Sequence, residues 1–185
     1  MDSIHISKVL SGDTGAFRYF VNTYKDFAFS LSYSIVKNEY LAEESIQESF
    51  IKAFENLKTF RKDASFKTWF GRIVINESLQ KVEIKKKETI SVDNISESEI
   101  EFTEDILKSI TLKEQKLYIS AIFEILSPKE SLVLELFHLK ENSIKEIMEL
   151  TVWSQSKIKM LLVRGRKNFY CKLKEMLKTE VEELR

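Results

Sequence analysis

The sequence predicts an all-α protein of two small helical domains joined by a flexible acidic linker. Three observations predict it. Four glycines and one proline in 185 residues fall far below the usual usage of about 7% and 5%, too few for the turns of a β-sandwich or barrel. Apolar residues recur every three or four positions in most segments, the spacing of a helix stripe. The charge is uneven: 29 basic and 29 acidic side chains cancel overall, but residues 1–84 carry 11 of each, 85–115 carry 5 basic and 8 acidic, and 116–185 carry 13 and 10. Those shifts set boundaries at 1–84, 85–115 and 116–185.

Asp13 reads as an N-cap, followed by Phe17, Phe20, Val21, Tyr24, Ala28, Leu31 and Ile35 on one helical face. Lys37 to Glu39 interrupts. A second helix runs from about Tyr40 to Leu57, with Ala42, Ile46, Phe50, Ala53 and Leu57 inward. Thr59 to Ser65 reads as a loop. Ser65 caps a third helix to about Lys81, with Phe66, Phe70, Ile73 and Val74 inward. From Lys85 to about Thr111 the periodicity fades among Ser, Glu and Asp, which predicts the linker. An apolar stripe then restarts through Leu117, Ile119, Ala121, Ile122, Ile125 and Leu126. Ser127-Pro128-Lys129-Glu130 places serine at the N-cap, proline at N1 and glutamate at N3. Ser143-Ile144-Lys145-Glu146 repeats the capping box. Ile158, Leu162, Gly165, Phe169, Leu173 and Met176 hold helical spacing along one long final helix.

Composition also excludes function classes. Cys171 is the sole cysteine, so an internal disulfide and a multi-thiolate zinc site are out. No apolar run approaches the ~20 residues that span a bilayer, and the first residues lack a signal peptide's pattern, so a cytoplasmic protein without membrane insertion is expected. There is no P-loop, and His5 and His138 read as ordinary surface or packing residues. No catalytic residue, metal or cofactor is expected; the chain reads as a non-enzyme.

Three surfaces carry chemistry. On the second helix Glu44, Gln47 and Glu48 lie opposite the buried stripe with Ile51 among them, a docking face for a basic protein. From Lys58 to Arg72 there are five bases and one acid; Arg61, Lys62 and Lys67 with Trp69, Arg72 and Asn76 offer cations for a phosphate backbone and an aromatic face for an unstacked base. From Ser154 to Lys174 there are seven bases and no acid. A helix from Ser127 to about Lys140, a short helix from Ser143 to about Leu150, a turn at Thr151 to Trp153 and a long basic helix make a helix-turn-helix. Ser156, Lys159, Met160, Val163, Arg164 and Lys167 share its outer face, the arrangement that meets base edges first and phosphates further along.

These strings resemble a family. Ala42-Glu43-Glu44-Ser45-Ile46-Gln47-Glu48-Ser49-Phe50 resembles the core-polymerase-binding motif of bacterial extracytoplasmic-function (ECF) sigma factors. Phe60 with Ser65 to Ile73 and Asn76 resembles the promoter-melting and minus-ten-reading segment. Leu126 to Glu130, Glu146-Ile147 and Lys159 to Lys167 resemble the minus-thirty-five-reading domain; Gly12-Asp13 and Ala16-Phe17 match the usual start.

The resemblance implies that Glu44, Gln47, Glu48 and Ile51 bind the polymerase clamp. It implies that Arg61, Lys62, Lys67, Trp69, Arg72 and Asn76 act on the melted minus-ten element. Ser154, Gln155, Ser156, Lys157, Lys159, Met160, Arg164, Arg166 and Lys167 would read the upstream duplex, while the linker threads the RNA path. The implied partners are RNA polymerase core, promoter DNA and a separate anti-sigma factor, in some relatives membrane-anchored.

Two departures stand out. Glutamate replaces the family's usual aspartate at position 44. Val152 stands where the turn usually holds glycine, which predicts a distorted turn or different dihedrals. The expected function is promoter specificity and melting for RNA polymerase. An autonomous helix-turn-helix regulator, which gives no reason for the acidic face, and a helical adaptor whose basic faces meet acidic proteins, which predicts no promoter-dependent transcription, are the rivals.

Overall fold

The structure, a computed structural model, describes residues 1–88 and 112–183, with side chains at 1–84 and 115–177. All regular elements among the described residues are helical. They are α1 (Asp2–Leu10), α2 (Arg18–Val36), α3 (Glu39–Glu55), α4 (Phe66–Glu88), α5 (Leu112–Ile125), α6 (Pro128–Leu134), α7 (Ile144–Thr151) and α8 (Gln155–Glu183). The all-α reading holds.

The N-terminal bundle is α2, α3 and α4 packed on one another. Phenylalanines fill its centre: Phe20 lies 4.2 Å from Phe66 and Phe50 4.6 Å from Phe70, ring centre to ring centre. Such offset and tilted pairs add to the area they bury. Deeper in, fully buried serines let the helices approach. Ser78 Oγ donates to Ser32 Oγ at 2.9 Å, joining α4 to α2. Ser45 and Ser49 turn their hydroxyls back onto carbonyls of α3, so their burial leaves no unmet donor.

The caps explain the boundaries. Asp13 accepts from the Ala16 amide at 3.2 Å, but what it caps is a 3-10 turn, Thr14–Phe17, that leads into α2. Lys37 ends α2 in the left-handed conformation and Asn38 starts α3 by accepting from Leu41 N. Ser65, Ser127 and Ser143 cap α4, α6 and α7 as the sequence predicts. Ser143 and Glu146 form the reciprocal capping box.

Several expectations need correction. Helix α1 falls where no helix is expected; its Asp2 carboxylate accepts from the hydroxyls of Tyr19 and Tyr24, which straps it to α2. Helix α4 continues to Glu88, beyond the expected stop near Lys81, and α5 begins at Leu112. Both therefore enter the expected linker; its residues 89–111 lie outside the described residues. Ile73 is half-buried, whereas its neighbour Ile75 is in the core. On α5 the buried line is Tyr118, Ile122 and Leu126, leaving Leu117, Ile119 and Ile125 exposed.

The helix expected from Ser127 to Lys140 is α6 followed by one π turn, Glu135–Leu139, in which Lys140 N reaches Glu135 O at 3.0 Å. In the C-terminal half α5, α6 and α7 all pack on α8. The α6–α8 crossing is close because residue 165 is glycine: a Cβ there would lie 3.0 Å from a methyl of Leu134. Finally, Val152 does not escape the glycine-like geometry. It sits at φ 58°, ψ 24°, with its N–H on Met148 O at 2.9 Å. The turn keeps its shape, held by this backbone bond, and valine takes the strain.

Candidate nucleic-acid interface and docking face

The α3 face is built by the helix period. Ala42, Ile46 and Ala53 point into the bundle, which turns Gln47 and Ile51 to solvent; Ile51 is 57% exposed. Glu44 and Glu48 lie beside them, half-exposed, and both reach across to α4. Lys81 Nζ lies 2.9 Å from a carboxylate oxygen of each. Desolvation opposes charge on that ammonium, but the bonds to Glu44 and Glu48 outweigh it and hold Lys81 above the ordinary lysine range. A second bridge, Lys52 to Glu77 at 2.5 Å, ties the next turn. Sequence reasoning found the acids and missed Lys81, because only the antiparallel register of α3 on α4 brings positions 44, 48 and 81 together.

The second surface spans the loop before α4 and the outer side of α4. Arg61 and Lys62 are exposed on the loop, Lys62 at φ 63°. Trp69 is half-buried, its ring 5.3 Å from Phe60 and 5.6 Å from Phe66, so one side supports the core. Lys67 extends its ammonium over the Phe27 ring at 4.7 Å. Asn76 is exposed. Arg72 is engaged elsewhere: its Nε donates to Glu149 O of α7 at 2.5 Å.

On the third surface Ser154 caps α8 by accepting from Lys157 N at 3.3 Å. Gln155, Ser156, Lys159, Met160, Arg164, Arg166 and Lys167 are exposed around Ile158, Leu161 and Leu162, which are buried. Three of the predicted cations have partners within the protein. Lys157 covers the Trp153 ring at 4.2 Å. Arg164 lies 3.7 Å from Glu130, a buried carboxylate also held by Ser127 and Asn168. Arg166 donates to His138 Nε2 at 3.1 Å. Burial, then the Arg166 charge, keeps the His138 pKa below its usual value, so the imidazole stays a neutral acceptor near pH 7. Among the described residues no group of three or more His, Cys, Asp or Glu side chains could hold a metal ion, and no helix is long and apolar enough to cross a membrane.

Comparison with known proteins gives this arrangement a family. Residues 20–88 match sigma-70 region 2. The ECF RNA polymerase sigma factor SigW of Bacillus subtilis is 37% identical over 81 residues, 44% of this chain and 43% of its own. The ECF RNA polymerase sigma-E factor of Haemophilus influenzae is 34% identical over 76 residues, 40% of this chain and 39% of its own. These two matches thus span less than half of either relative. A longer one, to the B. subtilis RNA polymerase sigma factor SigV, is 26% identical over 147 residues and covers 80% of this chain and 84% of that protein.

Among solved structures, CnrH in complex with the cytosolic domain of CnrY superposes with a TM-score of 0.60 at 17% identity, over 93% of this chain and 96% of that one. RpoE from Bartonella quintana, in complex with the anti-sigma factor NepR, gives 0.61 at 16% identity over 85% and 96%. At such identities the likeness is one of fold. The three-helix bundle with its acidic outer face is a sigma-70 region 2 domain. Over that domain the chain is similar to extracytoplasmic-function sigma factors.

Proposed function

We infer that this chain confers promoter specificity on bacterial RNA polymerase and helps open the duplex, without catalysing a reaction itself. The observation that carries the reading is the α3 face. Gln47 and exposed Ile51 lie beside Glu44 and Glu48, which pair with Lys81 yet stay half-exposed, on a helix whose other side is core, a surface that suits a basic partner. In this reading residues 1–84 bind the polymerase and the minus-ten element, 85–115 form the tether, and 116–185 read the minus-thirty-five duplex.

Roles follow chemistry. Glu44, Gln47, Glu48 and Ile51 dock the polymerase. Arg61, Lys62, Lys67, Arg72 and Asn76 hold the opened strand, with Trp69 offering the free side of its ring to an unpaired base, a contact worth roughly 1–3 kcal/mol. Exposed Lys159 and Lys167, with Arg164 and Arg166, meet phosphates, while Ser154, Gln155, Ser156, Lys157 and Met160 sit at base edges. The protein works in the cytoplasm, and a separate anti-sigma factor, as in the RpoE–NepR complex, restrains it. An autonomous helix-turn-helix regulator leaves the α3 face unexplained and is the weaker reading.

The test adds the chain to sigma-free core polymerase and maps run-off transcripts on candidate promoters. Specific initiation, abolished by Glu44→Lys with Glu48→Lys while the helical content is unchanged, is the expected result. Operator binding without any effect on core polymerase would favour the regulator instead.

A further inference from the structure

The acidic face of α3 carries more order than a solvated helix face needs. Positions 44, 48 and 52 are four apart, so Glu44, Glu48 and Lys52 form one row along that helix. Glu77 and Lys81, also four apart, form a row on α4, and the two rows meet along the seam where these helices pack. Glu48 and Lys52 stand at the spacing of an ion pair within one helix, yet each is taken by α4 instead. Lys52 Nζ lies 2.5 Å from Glu77 Oε2, and Lys81 Nζ lies 2.9 Å from Oε1 of both Glu44 and Glu48.

Exposure shows what a partner meets. The Lys81 side chain is 17% exposed, and those of Glu44 and Glu48 are 41% and 43% exposed, so the carboxylates, not the ammonium, dominate the surface. Each glutamate meets Lys81 through Oε1, which leaves its Oε2 for another donor. Lys52, the cation of the row, is drawn onto Glu77, whose side chain is 8% exposed. Reach matters at position 44. A carboxylate one bond shorter, about 1.5 Å, would leave the 2.9 Å contact outside ion-pair range, since Glu48 holds Lys81 at the same time.

We propose that Lys81 is a positioning residue for polymerase docking: it orders Glu44 and Glu48 into a single anionic site on α3 before the partner arrives, while Glu77 keeps the Lys52 charge off it. This rests on the docking role proposed above and adds the residue that makes the face competent. Free glutamate side chains lose rotamer freedom on binding; paired to Lys81, these two have lost it already. The ammonium also weakens the attraction for a basic partner. Attraction acts chiefly on the rate of association and order on the lifetime of the complex, so the two effects separate.

The full chain and core polymerase test this, with association and dissociation rates measured for wild type, Lys81→Met, Lys81→Arg and Glu44→Asp. Lys81→Met keeps an aliphatic stem and removes the ammonium. It should leave core about tenfold faster, two ordered side chains being at stake, while associating at least as fast as wild type. Lys81→Arg restores slow release. Glu44→Asp speeds release severalfold in the wild-type background and adds nothing in Lys81→Met, because its charge is kept and only the bridge is lost. The urea midpoint of each variant separates loss of fold from loss of docking.

Release as slow in Lys81→Met as in wild type, a loss carried wholly by slower association, or a Glu44→Asp effect of equal size with and without Lys81 overturns the assignment. The docking reading fails separately, if wild type does not bind core at all. Side-chain carbon relaxation of Glu44 and Glu48 then decides the positioning on the isolated chain: Lys81→Met should loosen both and Lys81→Arg neither, and unchanged relaxation in Lys81→Met sinks it.

Discussion

Val152 shows how a single residue can be strained without being misplaced. It stands in the left-handed region at φ 58° and is 72% exposed, so its side chain contributes little packing to offset the strain. A left-handed L-residue costs roughly 1–2 kcal/mol, whereas glycine at such a site adds roughly 0.5–1 kcal/mol of unfolded-state entropy. Val152→Gly should therefore stabilise the protein by about 0.5–1 kcal/mol, read as a higher urea midpoint at unchanged slope. A lower midpoint would mean that the valine methyls hold the turn. The sequence made the position conspicuous but left its outcome open, because the backbone bond from Val152 N to Met148 O and the packing of α7 on α8 decide it together. Trp69 is similarly ambiguous: the helix period places it beside the core, and only its distances to Phe60 and Phe66 show that its ring packs on both.

Elements were legible where local chemistry dictates them. The serines at 65, 127 and 143 start their helices as capping rules require, and the predicted inward residues of α3 are buried, as are Ile158, Leu162 and Gly165 of α8, with Phe169, Leu173 and Met176 half-buried further along. Helix α1 escaped because the side chains that fix it, Asp2 against Tyr19 and Tyr24, act across 17 and 22 residues. The π turn after α6 was equally invisible; it serves a contact, since Glu135 meets Ser30 of another helix. On α8 the outer cations were legible, their partners not. Arg164 neighbours Glu130 while staying 64% exposed, and Glu130 retains Ser127 and Asn168 without it. Arg164→Ala with Lys167→Ala should thus leave the fold intact and reduce the salt dependence of upstream duplex binding by about one to two ions. An unchanged slope of binding against salt would show that this side of α8 faces away from DNA.

At the scale of the molecule, the contact between the halves contains a titrating group. Lys37 ends α2, and its ammonium donates to the Leu126 carbonyl at the end of α5. Burial there pulls its pKa down to about 8, against the opposing charges of Glu124 and Glu130 that face it. When the halves separate, the ammonium returns to water and to a lysine's ordinary value near 10.5. The separated form therefore binds the proton more tightly, and deprotonation favours closure: as pH rises from 7 toward 9, the closed form should gain. The burial that raises the Glu135 carboxyl works at acid pH, and Tyr33, raised by Glu124 and by burial, titrates above 10, so neither intrudes on this window. Energy transfer between dyes at positions 58 and 145 should climb across pH 7–9 in the wild type and stay level in Lys37→Met. A slope that survives in Lys37→Met would remove Lys37 from the contact and leave Ser30, Tyr33, Arg72 and Leu150 to hold the halves together.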